Sequence, residues 1–535
     1  MTTEDIAKHL KLTAQLLELH EQNPFKIKSI ANAAFKLGKT DIDLSGKTID
    51  ELEKIEGIGK GIAGKIMELQ TTGGLKELTE MTEITPEGVM EMLKIKGIGP
   101  KKVGQLWREL EIESIGELLY ACNENRLLLL KGFGVKTQAE VKKQIEFFQS
   151  SVGWFHYASI EQSATELVND IKKQLETELV SLTGAMRRKC EVVDKIEILI
   201  GRDDKSYIIP DGGRNTIHVE LIYSNPQEFY SRLFETTAGN DFNPSPFVLQ
   251  NVNSEEELFA LNQMQYIQPE LREMNDYVAL AKENKIPDLL QVTDLKGILH
   301  NHSTYSDGIN TLEEMALYCK ELGYEYLGMC DHSQSAFYAE GMKVDKILRQ
   351  HAEIDALNKK LFPFRIFKGV ESDILNDGSL DYPEEILKSF DFIVASVHSN
   401  LKMNEEKATA RLIKAVENPY TTILGHPTAR LLLSRAGYPI DHKKVIDACS
   451  ANGVIIELNA HPYRLDIDWR WIPYCIEKGV RISINPDAHE LSGYHDMYFG
   501  TCVARKGMLT KEMCFNSLSL SEIDSYFMSR KKLNS

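Results

Sequence analysis

At 535 residues, with 42% hydrophobic and 26% charged side chains, the chain is too long for one ordinary core, so several globular domains are expected. No apolar run is long enough to span a bilayer, the opening MTTEDIAKHLK lacks the order of a signal peptide, and the eight cysteines include no C-x-x-C pair, so a reduced, cytoplasmic protein without a disulfide framework or membrane partner is expected. A net charge of −17 argues against holding nucleic acid by a broadly basic surface, so any such grip must be local.

Through about residue 148 the pattern is helical, with repeated Gly-hydrophobic-Gly turns. Ile55-Glu56-Gly57-Ile58-Gly59-Lys60-Gly61-Ile62-Ala63 has the hydrophobic-x-Gly-hydrophobic-Gly frame of a helix-hairpin-helix. The frame recurs at Ile95-Lys96-Gly97-Ile98-Gly99-Pro100-Lys101-Lys102-Val103 and at Leu130-Lys131-Gly132-Phe133-Gly134-Val135-Lys136. Glycines there let the backbone approach a ligand closely, so amides at the next helix start can hold a phosphate. Lys60, Lys101, Lys102 and Lys136 add charge at the same place. One such turn is more often a plain helix connection; three with the same frame predict DNA binding through its backbone, without sequence specificity.

A mixed segment follows, with strand-like runs at 195–200 and 217–223, a polar loop region around 240–257 and a helical stretch near 269–284. From about Val292 the pattern changes to alternating strands and helices. Seven apolar strands are predicted, at 296–300, 326–331, 365–371, 392–398, 422–426, 454–458 and 480–485. Helical patterns at 312–321, 345–359, 405–416 and 442–451 lie between them. Such alternation predicts parallel strands with crossover helices, closed into a barrel whose chemistry sits at the C-terminal strand ends.

Those ends carry the ligand-type residues. The first strand runs into His300-Asn301-His302 and then Asp307; the second ends at Asp331-His332, the third at Glu371, the fourth at His398 and the fifth at His426. The seventh runs into Asp487 and His489. Core residues would not gather at one end of each strand. Imidazole with carboxylate suits zinc, manganese or iron, and nine groups exceed what one ion binds, so two or three divalent ions are expected. His461 has no place in this set and reads as a supporting residue. Arg430 and Arg464, just past strand ends, are read as phosphate ligands or, equally, as salt-bridge partners.

In order, HxHSxxSDG, DH, GxE, the VHS and GHP histidines and DxH resemble the PHP domain. That resemblance implies one ion on His300, His302, Glu371 and Asp487, a second on Glu371, His398 and His426, and a third on Asp307, His332 and His489. It also implies hydrolysis of a phosphate ester by water activated on those ions, with no separate protein base.

Together with Asn23-Pro24-Phe25-Lys26, the module order resembles the bacterial family X DNA polymerases over essentially the whole chain. The fold so implied is multidomain: an α-helical helix-hairpin-helix region, an α+β nucleotidyltransferase-like palm and thumb, and a C-terminal (β/α)7 PHP barrel. The implied boundaries are 1–80 for a small lyase-like DNA-binding domain, 81–150 for fingers with two hairpin motifs, 151–225 for the palm, 226–290 for the thumb and 291–535 for the PHP domain. Lys65 matches the family's Schiff-base lysine, although a solvated helix lysine is the simpler reading. The palm departs from the family. Gly184-Ala185-Met186-Arg187-Arg188 keeps the frame of GSxRR, with Arg187 and Arg188 as nucleotide ligands, but the catalytic aspartate positions fall on Lys195, Glu197 and His218. A cation where two metals need carboxylates predicts an impaired polymerase site.

The expected activity is therefore that of a metal-dependent 3′→5′ exonuclease or related DNA 3′-end phosphoesterase in repair, acting as a monomer. A gap-filling DNA polymerase with proofreading, a phosphate monoesterase of the histidinol-phosphatase type and a DNA-binding scaffold are the competing readings. Lys195 and His218 weigh against the first, the three hairpins against the second, and nine idle ligands against the third.

Overall fold

The computed structural model describes every residue except 1, 39–41, 43, 96, 151, 152, 205, 206, 208–216, 534 and 535, and every described side chain except those at 147–150 and 533. Lys96 of the second hairpin motif thus lies outside the described residues. The chain divides into two compact units: Met1–Cys122 with Arg126–Phe148, and Asn123–Asn125 with Gln149–Ser535.

The first unit is helical. Its opening helix, Thr3–Leu19, starts at a capping box in which Asp5 N donates to the Thr2 hydroxyl while the Asp5 carboxylate accepts from Thr2 N. The next, Pro24–Leu37, has proline in its first turn and Asn23 as its cap. Ile6, Leu10 and Leu17 pack with Ile30, Ala33 and the buried stripe Ile62, Ile66 and Leu69.

The three hairpins share one backbone design. Gly57, Gly97 and Gly132 have φ of +90°, +98° and +91°, which only glycine adopts without strain. Two residues later Gly59 and Gly99 cap the helices Lys60–Thr72 and Pro100–Leu110, and Gly134 immediately precedes Val135–Ser150. Between each pair of glycines an apolar residue, Ile58, Ile98 or Phe133, turns into the core while the glycines stay exposed.

The second unit begins with a three-stranded sheet. Lys195–Gly201 is its centre, antiparallel to Val180–Thr183 and parallel to His218–Ser224. Ile160, Ala164 and Ile171 of the helix Tyr157–Leu175 pack on it. A second cluster follows, where Phe234, Phe242, Phe247 and Phe259 pack together and the rings of Phe234, Phe259 and Tyr266 face the fully buried Arg272.

The rest is a seven-stranded parallel barrel in sequence order: Gly297–Ile298, Tyr326–Met329, Arg365–Asp373, Phe392–Ser396, Ile423–Leu424, Ile455–Asn459 and Ile482–Asn485. First and last segments meet where Asp487 N donates to His300 O (3.1 Å), His302 N donates to Ala488 O (2.8 Å), and Asn301 bridges Ala488. Helices Leu312–Glu321, Val344–Leu361, Glu405–Val416 and His442–Asn452 cross over between strands, close to the ranges expected from periodicity. Several strands are buried along their whole length because both faces are covered, so they read as unbroken apolar runs. The helical hairpins, the α+β sheet and the (β/α)7 barrel are the multidomain class expected. Among the described residues no helix is long and apolar enough to cross a membrane.

Candidate metal centre

All nine ligand-type positions converge at the C-terminal end of the barrel. Glu371, two residues before the end of the third strand, is the hub. Its Oε1 lies 3.3 Å from His300 Nε2, 3.2 Å from His398 Nε2 and 3.0 Å from His426 Nε2. Its Oε2 lies 2.9 Å from His332 Nδ1 and 3.7 Å from His302 Nε2. Potential ligand atoms of His300, His302, Glu371 and Asp487 lie within 4.8 Å of one another, as do those of His302, Asp307, His332 and His489, and those of His332, Glu371 and His398. His302 thus joins two of these groups, and His332 approaches Glu371 as well as Asp307, contacts that the resemblance alone does not convey.

Local structure explains the aim of these side chains. His300 and His302 flank Asn301, whose amide donates to Gly328 O and whose carbonyl oxygen accepts from Tyr494 OH. The loop after His302 folds back because Ser303 N and the hydroxyls of Ser303 and Ser306 all donate to the Asp331 carboxylate. Gly308 is required there: a Cβ would stand 2.6 Å from His302 O. Asp487 has φ +53°, a left-handed conformation that turns its carboxylate inward.

The atoms that face one another have the signature of a cation site. His300 Nε2, His302 Nδ1, both Asp307 oxygens, His332 Nδ1, Glu371 Oε2 and His489 Nε2 are buried without a hydrogen-bond partner of acceptable geometry. Buried polar atoms are ordinarily paired, and lone pairs directed at one another call for a positive charge between them. Burial, reinforced by His489 and His332, pulls the His302 imidazole down to about 3, leaving it neutral and able to offer a lone pair. Burial opposes protonation of His398 too, but Glu371 and Asp373 overcome it and push that imidazole up to about 10. Imidazoles and carboxylates that converge with unpartnered buried atoms fit divalent cations of the zinc, manganese or iron type.

Sequence reasoning missed the residues that orient this set. His300 Nδ1 meets Glu457 Oε2 at 2.7 Å, and His398 Nδ1 meets Asp373 Oδ1 at 2.6 Å. Gln350 Nε2 donates to Asp331 Oδ2 at 2.6 Å. Glu457 had one readable signal, a carboxylate in the middle of an apolar strand. Asp373 and Gln350 had none. His461 accepts from Tyr463 N through Nδ1 and belongs to none of the ligand groups above. Arg430 is taken up by Asp468 (2.5 Å) and by the carbonyls of Arg464 and Leu465, the salt-bridge alternative.

The three-stranded sheet aligns Lys195 with His218 and Glu197 with Glu220. Lys195 Nζ lies 2.9 Å from Glu197 Oε1 and 2.8 Å from Glu220 Oε2, so an ammonium occupies the gap between the two carboxylates. Arg187 pairs with Glu255 and donates to Thr237 Oγ1; Arg188 donates to the carbonyls of Thr237 and Ala238 and pairs with Glu273. Both arginines are engaged internally. In the first unit, Lys65 and Lys26 both bind Glu77. Burial opposes the Glu77 charge, yet the two ammonium groups hold its carboxyl below the usual range. A Cβ on Gly59, Gly99 or Gly134 would meet nothing within 4 Å, so these turns are open to a ligand.

Family models match in the same order: a helix-hairpin-helix domain over residues 1–75, a SAM-like helix-hairpin-helix tandem over 89–146 and a PHP domain over 299–461. The chain is 31% identical over 576 aligned positions to the DNA polymerase/3′-5′ exonuclease PolX of Bacillus subtilis (strain 168), covering 98% of this chain and 99% of that protein. It is 31% identical over 199 residues to a probable phosphatase of Acetivibrio thermocellus, covering 36% of this chain and 78% of that protein. A solved histidinol phosphate phosphatase from Lactococcus lactis covers 40% of this chain and 94% of its own, at 12% identity and a TM-score of 0.30. The Bacillus subtilis relative, 31% identical over nearly the full length of both proteins, makes the assignment: the chain belongs to the bacterial family X DNA polymerases that carry a C-terminal PHP domain.

Proposed function

We propose that this protein is a metal-dependent DNA phosphoesterase, a 3′→5′ exonuclease acting on ends or gaps in repair, carried on a polymerase scaffold whose own active site is impaired. The observation that carries the reading is the convergence of nine imidazoles and carboxylates, eight of them buried, with Glu371 at their centre. The activity for which the Bacillus subtilis relative is named supports it.

In this reading His300, His302, Glu371 and Asp487 hold one divalent ion, Glu371, His398 and His426 a second, and Asp307, His332 and His489 a third. The chemistry supplied by such ions is activation of water at neutral pH and neutralisation of charge gathering on the phosphoryl group and leaving oxygen. The chain's own part is to hold these side chains in register: Glu457 keeps the His300 proton on Nδ1, Asp373 does the same for His398, and Asp331 ties down the loop that brings in Asp307.

The hairpin amides at Gly57, Gly59, Gly97, Gly99, Gly132 and Gly134, with Lys60, Lys101, Lys102 and Lys136, grip DNA phosphates without reading sequence. Domain roles follow the same scheme: residues 1–80 and 81–150 hold DNA, 151–225 and 226–290 form the palm and thumb remnant, and 291–535 performs hydrolysis. The Lys195 ion pairs disfavour gap-filling synthesis, because metal binding there requires displacing an ammonium already seated on both glutamates. The Glu77 pairing favours a structural Lys65 over a Schiff-base nucleophile.

One incubation tests the proposal: a 3′-recessed, 5′-labelled primer-template with manganese, with and without dNTPs, resolved on a denaturing gel. A ladder of shortened primers, lost in Glu371→Ala and His398→Ala, is expected. Lengthening with dNTPs overturns the impaired palm, and cleavage of p-nitrophenyl phosphate with an intact primer moves the activity to monoesters.

A further inference from the structure

At the C-terminal end of the barrel one loop is closed by backbone hydrogen bonds beneath an exposed aromatic ring. The chain leaves the second strand at His332, and a parallel bridge between Ser333 and Met342 closes the loop base. Met342 N donates to His332 O (2.8 Å), Ala336 N to Ser333 O (3.1 Å) and Gly341 N to Ala336 O (3.1 Å). Gly341 lies so close to Ser333 O that a Cβ would stand 1.9 Å away. Ala336 and Ala339 are fully buried and pin the turn from below, yet Phe337 between them is 86% exposed. Tyr338, beside it, sets its ring edge-on to His332 (5.9 Å) and His398 (6.2 Å).

Two further bonds tie the loop to the ligand set. Asp373 accepts from Ser335 Oγ through Oδ2 (2.9 Å) while its Oδ1 holds His398 Nδ1 (2.6 Å). Ser335 N also donates to Asp381 Oδ2 at 2.7 Å. The loop and one of the ligand-type histidines therefore share a single carboxylate. An isolated exposed apolar residue is ordinary on a protein surface. A phenyl ring held out by a fixed turn, on the same carboxylate as the cluster, is arranged to meet something flat.

We propose that Phe337 is a base-stacking platform for the terminal nucleotide of the DNA strand being digested, with Tyr338 as the wall between that base and the cluster. The proposal rests on the exonuclease reading and names its subsite. A phosphodiester seated at the histidines carries its base outward from the barrel mouth, where a π-face is the sequence-tolerant partner. Such a platform separates nucleic-acid ends from small phosphate monoesters, which carry no base.

The test uses the full-length manganese-loaded protein and two single-stranded oligonucleotides, identical except that one ends in a 3′ abasic analogue. Phe337→Ala is expected to raise KM for the ordinary end about tenfold, with kcat nearly unchanged, and Phe337→Trp to restore it. On the abasic end wild type and Phe337→Ala should be equal. Equal loss on both ends, or no loss on the ordinary end, overturns the proposal. A 3′-terminal 2-aminopurine reads stacking without turnover: its fluorescence should fall on binding wild type and not on binding Phe337→Ala. Quenching without any shortening shows that a base stacks at Phe337 but removes the exonuclease reading, and with it the platform's part in digestion. Shortening without a quenching difference removes the platform alone.

Discussion

Glu457 Oε2 lies 2.7 Å from His300 Nδ1, and the same carboxylate accepts from Asn485 Nδ2 (3.0 Å) and from the backbone N–H of His426 (3.2 Å). One buried glutamate thus joins the first, fifth, sixth and seventh barrel strands beneath the ligand cluster. Because a carboxylate accepts, the proton of His300 sits on Nδ1 and the lone pair on Nε2 faces Glu371 and Asp487. Glu457→Gln keeps the volume but can present an N–H to Nδ1, disturbing that tautomer. Metal affinity should fall roughly tenfold to a hundredfold. Titration of the metal-stripped protein with manganese, followed calorimetrically, checks this; an unchanged affinity removes Glu457 from the positioning role.

The Lys195 pairs are partly exposed, at 34% for the lysine and 44% for Glu220, so screening keeps their contribution small. Lys195→Ala should change unfolding free energy by less than about 1 kcal/mol in urea melts. It should also leave primer extension absent, since removing the ammonium does not return the missing carboxylates at Lys195 and His218. Extension by the unmodified protein would show that the ammonium gives way to metal.

Glu255 is the centre of a buried ion triad with Arg187 and Arg272. Burial opposes its charge, but the two guanidinium groups prevail and hold the carboxyl down to about 2. A folded-state value below the ordinary 4.5 means the stabilisation is complete above the unfolded value and is lost as pH falls from there toward about 2. The contribution is on the order of 3 kcal/mol. Glu255→Gln should lower stability at neutral pH and flatten the acid limb of a denaturation profile; a parallel profile contradicts the triad's role.

Hairpin glycines at positive φ cannot be replaced cheaply. Gly97→Ala or Gly132→Ala should cost about 1 kcal/mol in stability, because each sits near φ +90° or above. Exposed Lys101 lies at the next helix start, so Lys101→Ala should leave the fold intact. If it binds phosphate, the slope of log affinity for DNA against log salt should shrink by about 1. Salt-titrated anisotropy with a labelled duplex reads this, and an unaltered slope takes Lys101 out of the interface.

Much of the barrel was legible because a buried parallel strand must be apolar along its length and stop at a polar residue. His300, His332, Glu371, His398 and His426 therefore stood out as strand endings. Hairpin turns were legible for a similar local reason: the frame Gly-apolar-Gly encodes a left-handed glycine, a buried residue and an open helix start within a few positions. What only the tertiary structure decided are relations across distant segments. Glu371 as the shared centre of five imidazoles, Glu457 beneath four strands, and Asp373 joining His398 to the loop of Phe337 depend on which strands lie side by side. The ammonium of Lys195 between Glu197 and Glu220 likewise depends on the register of two strands separated by a long connection. Local sequence determines which residues can be ligands or turns; barrel closure and strand register determine which of them meet.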